Sequence, residues 1–256
     1  MHLYLSPHAD DVVLSCGGTI ATLTRQQQRV VIFTLMIADP PRQALETPLA
    51  RHFLALWNLG ENVIQVRRAE DQAAAAVLGA EIQFGDLLEC GYRLDDNGQP
   101  YYATPESINA AVNPHDPLRS MLTPDGVRTL LARFALAAGD TIHAPLGVGR
   151  HVDHQIIRDV AVILKQTSPA INVVFYEEYP YAGWNDQVVP DAVAALPLPV
   201  QRIVHPLNLR ARLLRIAAIA SYRSQLKMIW PKGTLGMALR TWQFMAKTGG
   251  EAEWTG

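Results

Sequence analysis

Two short stretches hold the residue types that could carry metal or hydrolytic chemistry. The first, His8-Ala9-Asp10-Asp11, sets an imidazole and two carboxylates within four residues, and the second, His151-Val152-Asp153-His154, adds two imidazoles and another carboxylate. Groups this polar are costly to pack away unless a cation or several hydrogen bonds satisfy them. Two histidines with one carboxylate are the usual ligand set of a hydrolytic zinc centre, which keeps its fourth position for a water that the metal acidifies. Each cluster has groups to spare. Adjacent residues cannot both easily point at one ion, so one aspartate of the first cluster can ligate while its neighbour acts as general base.

The flanking residues show how such groups would be positioned. An apolar run from His2 to Leu5 breaks at Ser6-Pro7, the first cluster follows, and a helical pattern begins with Val12, Val13, Gly17 and Ile20. Thr141 to Pro145 reads as another strand, Leu146 to Arg150 as a loop, and the second cluster opens a helix running through Ile156, Ile157, Val160, Ile163 and Leu164. A buried strand from Arg29 to Met36 makes the first unit βαβ, hence a parallel sheet. In such sheets ligands bind beyond the carboxyl ends of the strands, where both clusters would lie and could converge if their strands were neighbours.

The remaining pattern predicts a helix near Leu49 to Leu59, one from Arg67 to Leu78 closed by Gly79, and a strand from Ala80 to Phe84. It also predicts a helix from Thr123 to Ala138, a strand from Ile171 to Tyr176, and a long helix from Leu207 to Ile229. Residues 85 to 120 lose apolar periodicity and read as an insertion or lid carrying Tyr92, Tyr101 and Tyr102. The expected architecture is α/β, a Rossmann-like three-layer fold with a mostly parallel central sheet and helices on both faces. It forms a single domain over 1–256, with a C-terminal helical region from about 207.

Composition narrows the partners. With 22 basic and 24 acidic residues there is no basic field to attract nucleic acid or an anionic membrane surface. No run of roughly 18 apolar residues and no signal-peptide pattern occurs, so the expectation is a cytoplasmic protein with no integral membrane segment. The two cysteines, Cys16 and Cys90, are read as neither catalytic nor disulfide-bonded. Gly17-Gly18 lacks the spacing of a dinucleotide loop.

Pro7-His8-Ala9-Asp10-Asp11 with Gly17-Gly18-Thr19, and His151-Val152-Asp153-His154, resemble the LmbE-like (PIG-L type) family of zinc-dependent N-deacetylases. Arg67-x-x-Glu70 with Ala74 and Leu78-Gly79 extends the resemblance, as does Tyr222-Arg223-Ser224-Gln225 more loosely. The resemblance implies one Zn2+ or another divalent metal per chain, held by His8, Asp11 and His154, with Asp10 as base. It implies that His151 donates to the oxyanion or leaving amine, that Asp153 orients His151, and that Arg67 holds substrate hydroxyls. The substrate would be a small N-acylated amino sugar or glycoconjugate. Some members carry a tyrosine where this chain has Gly149, so that phenol is missing here or comes from another loop. Ala9 and Val152 stand where prolines are often found.

Other readings stay open. His8, Asp10 and a distal histidine could be the facial triad of a non-haem Fe(II) oxygenase, although that would leave Asp11 and His151 unexplained. A sugar-binding homologue without turnover would not need Asp10 and His151. Arg67 could instead pair with Glu70 or Asp71, and His115-Asp116 reads as a turn. Tyr92, Tyr101, Tyr102, Tyr179, Tyr181 and Trp184 could stack on a sugar or anchor their loops. The basic face of the last helix could be solvated, meet a second subunit or approach lipid; oligomeric state is unassigned, a homo-oligomer included.

Overall fold

A computed structural model describes residues 1–256, the side chain of Lys227 apart. Its centre is a seven-stranded sheet in the order β3-β2-β1-β4-β5-β7-β6. Strands β1 (His2–Ser6), β2 (Val30–Thr34), β3 (Glu81–Phe84), β4 (Thr141–Pro145) and β5 (Asn172–Tyr176) are parallel. The last two, β6 (Gln201–Pro206) and β7 (Gly250–Thr255), add an antiparallel edge.

Alternation along the strands decides the layers. Leu3, Leu5, Val31, Phe33, Ile142 and Ala144 face one way, onto α5 (Pro124–Leu131) and α6 (Val152–Thr167). Tyr4, Val30 and Ile32 face the other way, onto α1 (Asp11–Arg25), α4 (Val63–Leu78) and α8 (Leu209–Ile219). The architecture is the three-layer α/β fold expected. Gly18 makes the second layer tight: a Cβ there would stand 2.4 Å from Leu207 Cδ1. The same glycine donates its N–H to Glu251 of β7 at 2.8 Å, so the Gly-Gly-Thr run serves close packing.

Strand order reverses at β1. From there β2 and β3 extend one way and β4 and β5 the other, so the switch point falls between the carboxyl ends of β1 and β4. Register places His2 opposite Thr141 and Tyr4 opposite His143, which sets the two cluster-bearing loops side by side.

Several expectations change. The helix expected from Leu207 to Ile229 is two, α8 and α9 (Arg223–Ile229), because the chain turns at Ser221-Tyr222. The helix expected to reach Ala138 ends at Leu131 and passes into a short 3-10 turn. Periodicity missed β6, β7, α7 (Val188–Ala194) and α10 (Gly233–Thr248); β6 has mostly exposed positions and β7 ends the chain. Between β2 and α4 lie α2 (Arg42–Leu45) and α3 (Pro48–Trp57). Segment 85–120 has no strand or α-helix, but it is pinned by Tyr102 and Asp116, both buried. Asp116 caps its turn by accepting from Leu118 N–H at 2.9 Å, while His115 is exposed.

Candidate metal centre

The loop leaving β1 is braced by Ser6, whose hydroxyl donates to His8 O at 2.6 Å and accepts from Val12 N–H at 3.3 Å. Asp10 then adopts φ 108, a conformation that costs a side-chain-bearing residue about 1–3 kcal/mol. The strain separates two adjacent carboxylates. Asp11 turns inward and Oδ2 accepts from His8 N–H at 2.9 Å. Asp10 lines a cavity of about 810 Å³ and makes no side-chain hydrogen bond among the described residues.

From the other loop His154 enters on the first turn of α6, fully buried. Its Nδ1–H meets Glu178 Oε1 at 3.2 Å, and Glu178 also accepts from Gly147 N–H at 2.7 Å and Val148 N–H at 3.1 Å. Glu178 thereby fixes both the loop after β4 and the ring that follows it. The other ring nitrogen, Nε2, is buried without a hydrogen-bond partner.

That nitrogen decides the fit. Asp11 Oδ2 lies 3.2 Å from His154 Nε2 and 3.2 Å from His8 Nδ1, the spacing expected of donors round one small ion. A ring lone pair aimed at a carboxylate oxygen is repulsive unless a proton or cation lies between. With a proton there, Asp11 and Glu178 overcome burial and push His154 up to about 9. His8, Asp11 and His154 therefore fit a divalent cation. The ring nitrogens of His8, His151 and His154 also lie within 4.8 Å of one another, but His151 Nδ1 takes the Asp153 amide at 3.3 Å. Its Nε2 lies 3.9 Å from Cys90 Sγ, which leaves Asp11 the better third donor.

The two aspartates differ electrostatically as well. Burial and the adjacent Asp11 carboxylate hold Asp10 well above the usual carboxylate range, against the pull of Arg67 and His8. Burial would raise Asp11 too, but His154 and His8 outweigh it and hold Asp11 well below. Paired carboxyls pushed in opposite directions are a familiar sign of divided acid–base labour.

Two residues have other partners than expected. The carboxylate of Asp153 does not orient His151; Oδ2 accepts from His8 Nε2 at 2.8 Å and from Cys90 N–H at 2.9 Å, and only the Asp153 backbone reaches His151. At a helix start the backbone N–H points along the axis while the side chain leaves sideways, so one residue serves two rings. Arg67 lies one turn inside α4 and pairs with neither Glu70 nor Asp71. Its Nη1 donates to Glu89 at 2.8 Å, its Nη2 to Ala9 O at 3.1 Å, and its guanidinium lies 4.8 Å from the Trp57 ring centre. Glu70 instead binds Ser224 at 2.6 Å and Asp71 binds Tyr222 at 2.5 Å, docking the Arg-x-x-Glu helix onto the Tyr-Arg-Ser-Gln turn.

Sequence reading missed Glu89, Arg93 and Glu178, and left Tyr181 open between stacking and anchoring. Glu178 follows β5 at its carboxyl end, so the rule that singled out His8 would have found it. Glu89 and Arg93 lie in an aperiodic stretch with no comparable signal. Tyr181 lines the cavity, meets His154 edge-on with ring centres 5.8 Å apart, and covers Gly149.

Residues 3–165 match the family described as PIG-L, GlcNAc-PI de-N-acetylase. The chain belongs to this family. Among curated relatives, a 2'-N-acetylparomamine deacetylase of Niallia circulans is 27% identical over 88% of this chain and 80% of its own length. One of the same name from Streptomyces fradiae is 28% identical over 73% of this chain, which spans 59% of that protein. A solved structure, the zinc inhibited form of teicoplanin deacetylase Orf2, is 25% identical with a TM-score of 0.78, covering 99% of this chain and 96% of that one. As a PIG-L protein the chain is an N-deacetylase, and the oxygenase reading falls away. Among the described residues no helix is long and apolar enough to cross a membrane.

Proposed function

We propose that this PIG-L protein is a metal-dependent hydrolase that removes an acetyl or related acyl group from the nitrogen of an amino sugar. The observation that carries the reading is Asp11 Oδ2 lying 3.2 Å from both His8 Nδ1 and the unpartnered His154 Nε2. A divalent metal, zinc being the usual choice, held by His8, Asp11 and His154 would polarise the acyl oxygen and acidify the attacking water. Asp10, free in the cavity, accepts the water's proton as its oxygen adds to the acyl carbon. His151 keeps its ring proton on Nε2, because Nδ1 accepts the Asp153 amide, and offers it as a hydrogen bond to the oxyanion or the departing nitrogen. Asp10 passes the water's proton to that nitrogen as the C–N bond breaks. Acetate and a free amine result. Burial holds the Tyr181 phenol well above its usual pKa, with Asp11 and Asp10 adding to the effect, so it stays a donor for the developing oxyanion. Asp153 steadies His8, and Arg67 braces the Asp10 loop while its Glu89 partner offers oxygens to sugar hydroxyls.

The cavity wall supports a sugar conjugate as substrate. Trp57, Tyr179, Tyr181 and Trp184 line it, and aromatic faces stack on the apolar faces of pyranose rings. The test is release of free amine from N-acetylglucosaminides, 2'-N-acetylparomamine and an N-acylglucosaminyl glycopeptide, with metal content measured in parallel. Amine release that a chelator abolishes and zinc restores is the expected result. Absence of bound metal, or turnover that survives its removal, would overturn the reading.

A further inference from the structure

Arg93 belongs to segment 85–120, outside the elements that carry the proposed ligands, yet its side chain is buried behind them. Its Nη1 donates to Leu88 O at 2.9 Å, and its guanidinium lies 5.5 Å from the Tyr102 ring centre. Nη2 lies 2.7 Å from Asp116 Oδ2 and 2.7 Å from Asp153 Oδ1. The opposite oxygen of Asp153 takes the His8 Nε2 contact at 2.8 Å. One carboxylate thus stands between a buried cation and the imidazole whose far nitrogen faces Asp11.

We propose that Arg93 is a positioning residue for the metal centre, acting through Asp153 on His8. The inference rests on the metal reading above. A fully buried carboxylate needs a counter-charge and partners for both oxygens. Arg93 supplies the charge, its Nη2 standing 2.7 Å from Oδ1 in an ion-pair contact that makes no hydrogen bond, while Oδ2 holds His8 by its Nε2–H and turns Nδ1 toward the ion. Carboxylates behind ligating histidines set ring orientation and donor strength in this way. An arrangement serving only to anchor segment 85–120 would not need Asp153, because Asp116 and Tyr102, joined at 2.7 Å, already tie that segment together.

Zinc dissociation constants of the full-length protein, measured by competition with a chromophoric chelator, test the proposal without any assay of turnover. Arg93→Met should weaken zinc about 10- to 100-fold, the usual effect of losing an outer partner of a metal ligand. Arg93→Lys, which keeps the charge but loses the second nitrogen that donates to Leu88 O, should weaken it less. Asp116→Asn should lower the Tm of the metal-free protein yet leave the zinc constant within about threefold, because it does not touch Asp153. If Arg93→Met does not fold, Arg93→Lys carries the comparison. Arg93 variants that bind zinc as tightly as wild type, with Tm lowered as in Asp116→Asn, would show anchoring alone and overturn the proposal. A wild-type protein that binds no zinc would overturn the underlying metal reading too, so the two failures are distinguishable.

Discussion

The ring of Tyr181 lies on Gly149: a Cβ at position 149 would stand 2.8 Å from Tyr181 Cδ1, and Gly149 itself has φ 81. A side chain at 149 and a ring at 181 therefore exclude each other. If a phenol serves the oxyanion here, Tyr181, which follows β5, is placed to supply it. Tyr181→Phe should lower kcat about 10²-fold, the worth of one oxyanion donor, with metal content unchanged. Gly149→Ala should act in the same direction by displacing the ring. Steady-state kinetics decide the point, and an unchanged kcat in Tyr181→Phe would leave the ring a packing role only.

Asp10 and Asp11 should separate cleanly on substitution. Asp11→Ala removes a proposed ligand, so metal affinity should fall and activity should return only with excess metal. Asp10→Asn keeps shape but cannot take the water's proton, so metal should stay while kcat drops roughly 10²- to 10⁴-fold. The acid limb of the pH–rate profile should shift or flatten with it. Loss of metal in Asp10→Asn and retention in Asp11→Ala would exchange the two roles.

Arg67→Ala should affect more than substrate binding. Besides its Glu89 pair, Arg67 holds Ala9 O in the loop that carries Asp10, so kcat should fall alongside a rise in KM. Breaking one partner of a buried ion pair typically costs about 3–5 kcal/mol, which a denaturant titration would register. A pure KM effect with unchanged stability would contradict this bracing role.

At the antiparallel edge Glu253 accepts from His205 Nε2 at 2.8 Å and His143 Nδ1 at 2.6 Å. The Glu253 contact raises His205 above its usual pKa, against burial. Burial would raise Glu253, but His143 and His205 overcome it and hold Glu253 below the carboxylate range. A raised histidine stabilises the fold fully below its unfolded pKa, about 6.5, and the contribution fades as pH rises through the folded value. The Tm gap between wild type and His205→Gln should therefore be wider at about pH 5.5 than at about pH 8.5. An equal or reversed gap would deny the charged pair.

Most of the frame was legible because its rules are local. Apolar runs of strand length, a Ser-Pro break and a helical period after each cluster depend on neighbours along the chain, and they sufficed to put His8, Asp11 and His154 at the carboxyl ends of parallel strands. The long C-terminal helix was misread for the same reason: apolar period continues from α8 into α9, while the turn at Tyr222 is held by Asp71, far away in sequence.

What the sequence determined by itself was therefore the layer architecture and the two clusters that hold the candidate ligands, while the choice of His8, Asp11 and His154 among their groups came from the family resemblance. Only the tertiary structure decided the partners behind them: Asp153 serving His8, Glu178 fixing His154, Arg67 meeting Glu89, and Tyr181 filling the space over Gly149. Secondary structure follows from periods of two and 3.6 residues, which composition along a short window reveals. A hydrogen bond between side chains 22 or 145 residues apart depends instead on strand order and on the direction in which each Cα–Cβ bond leaves its element, and neither is written in residue type or spacing.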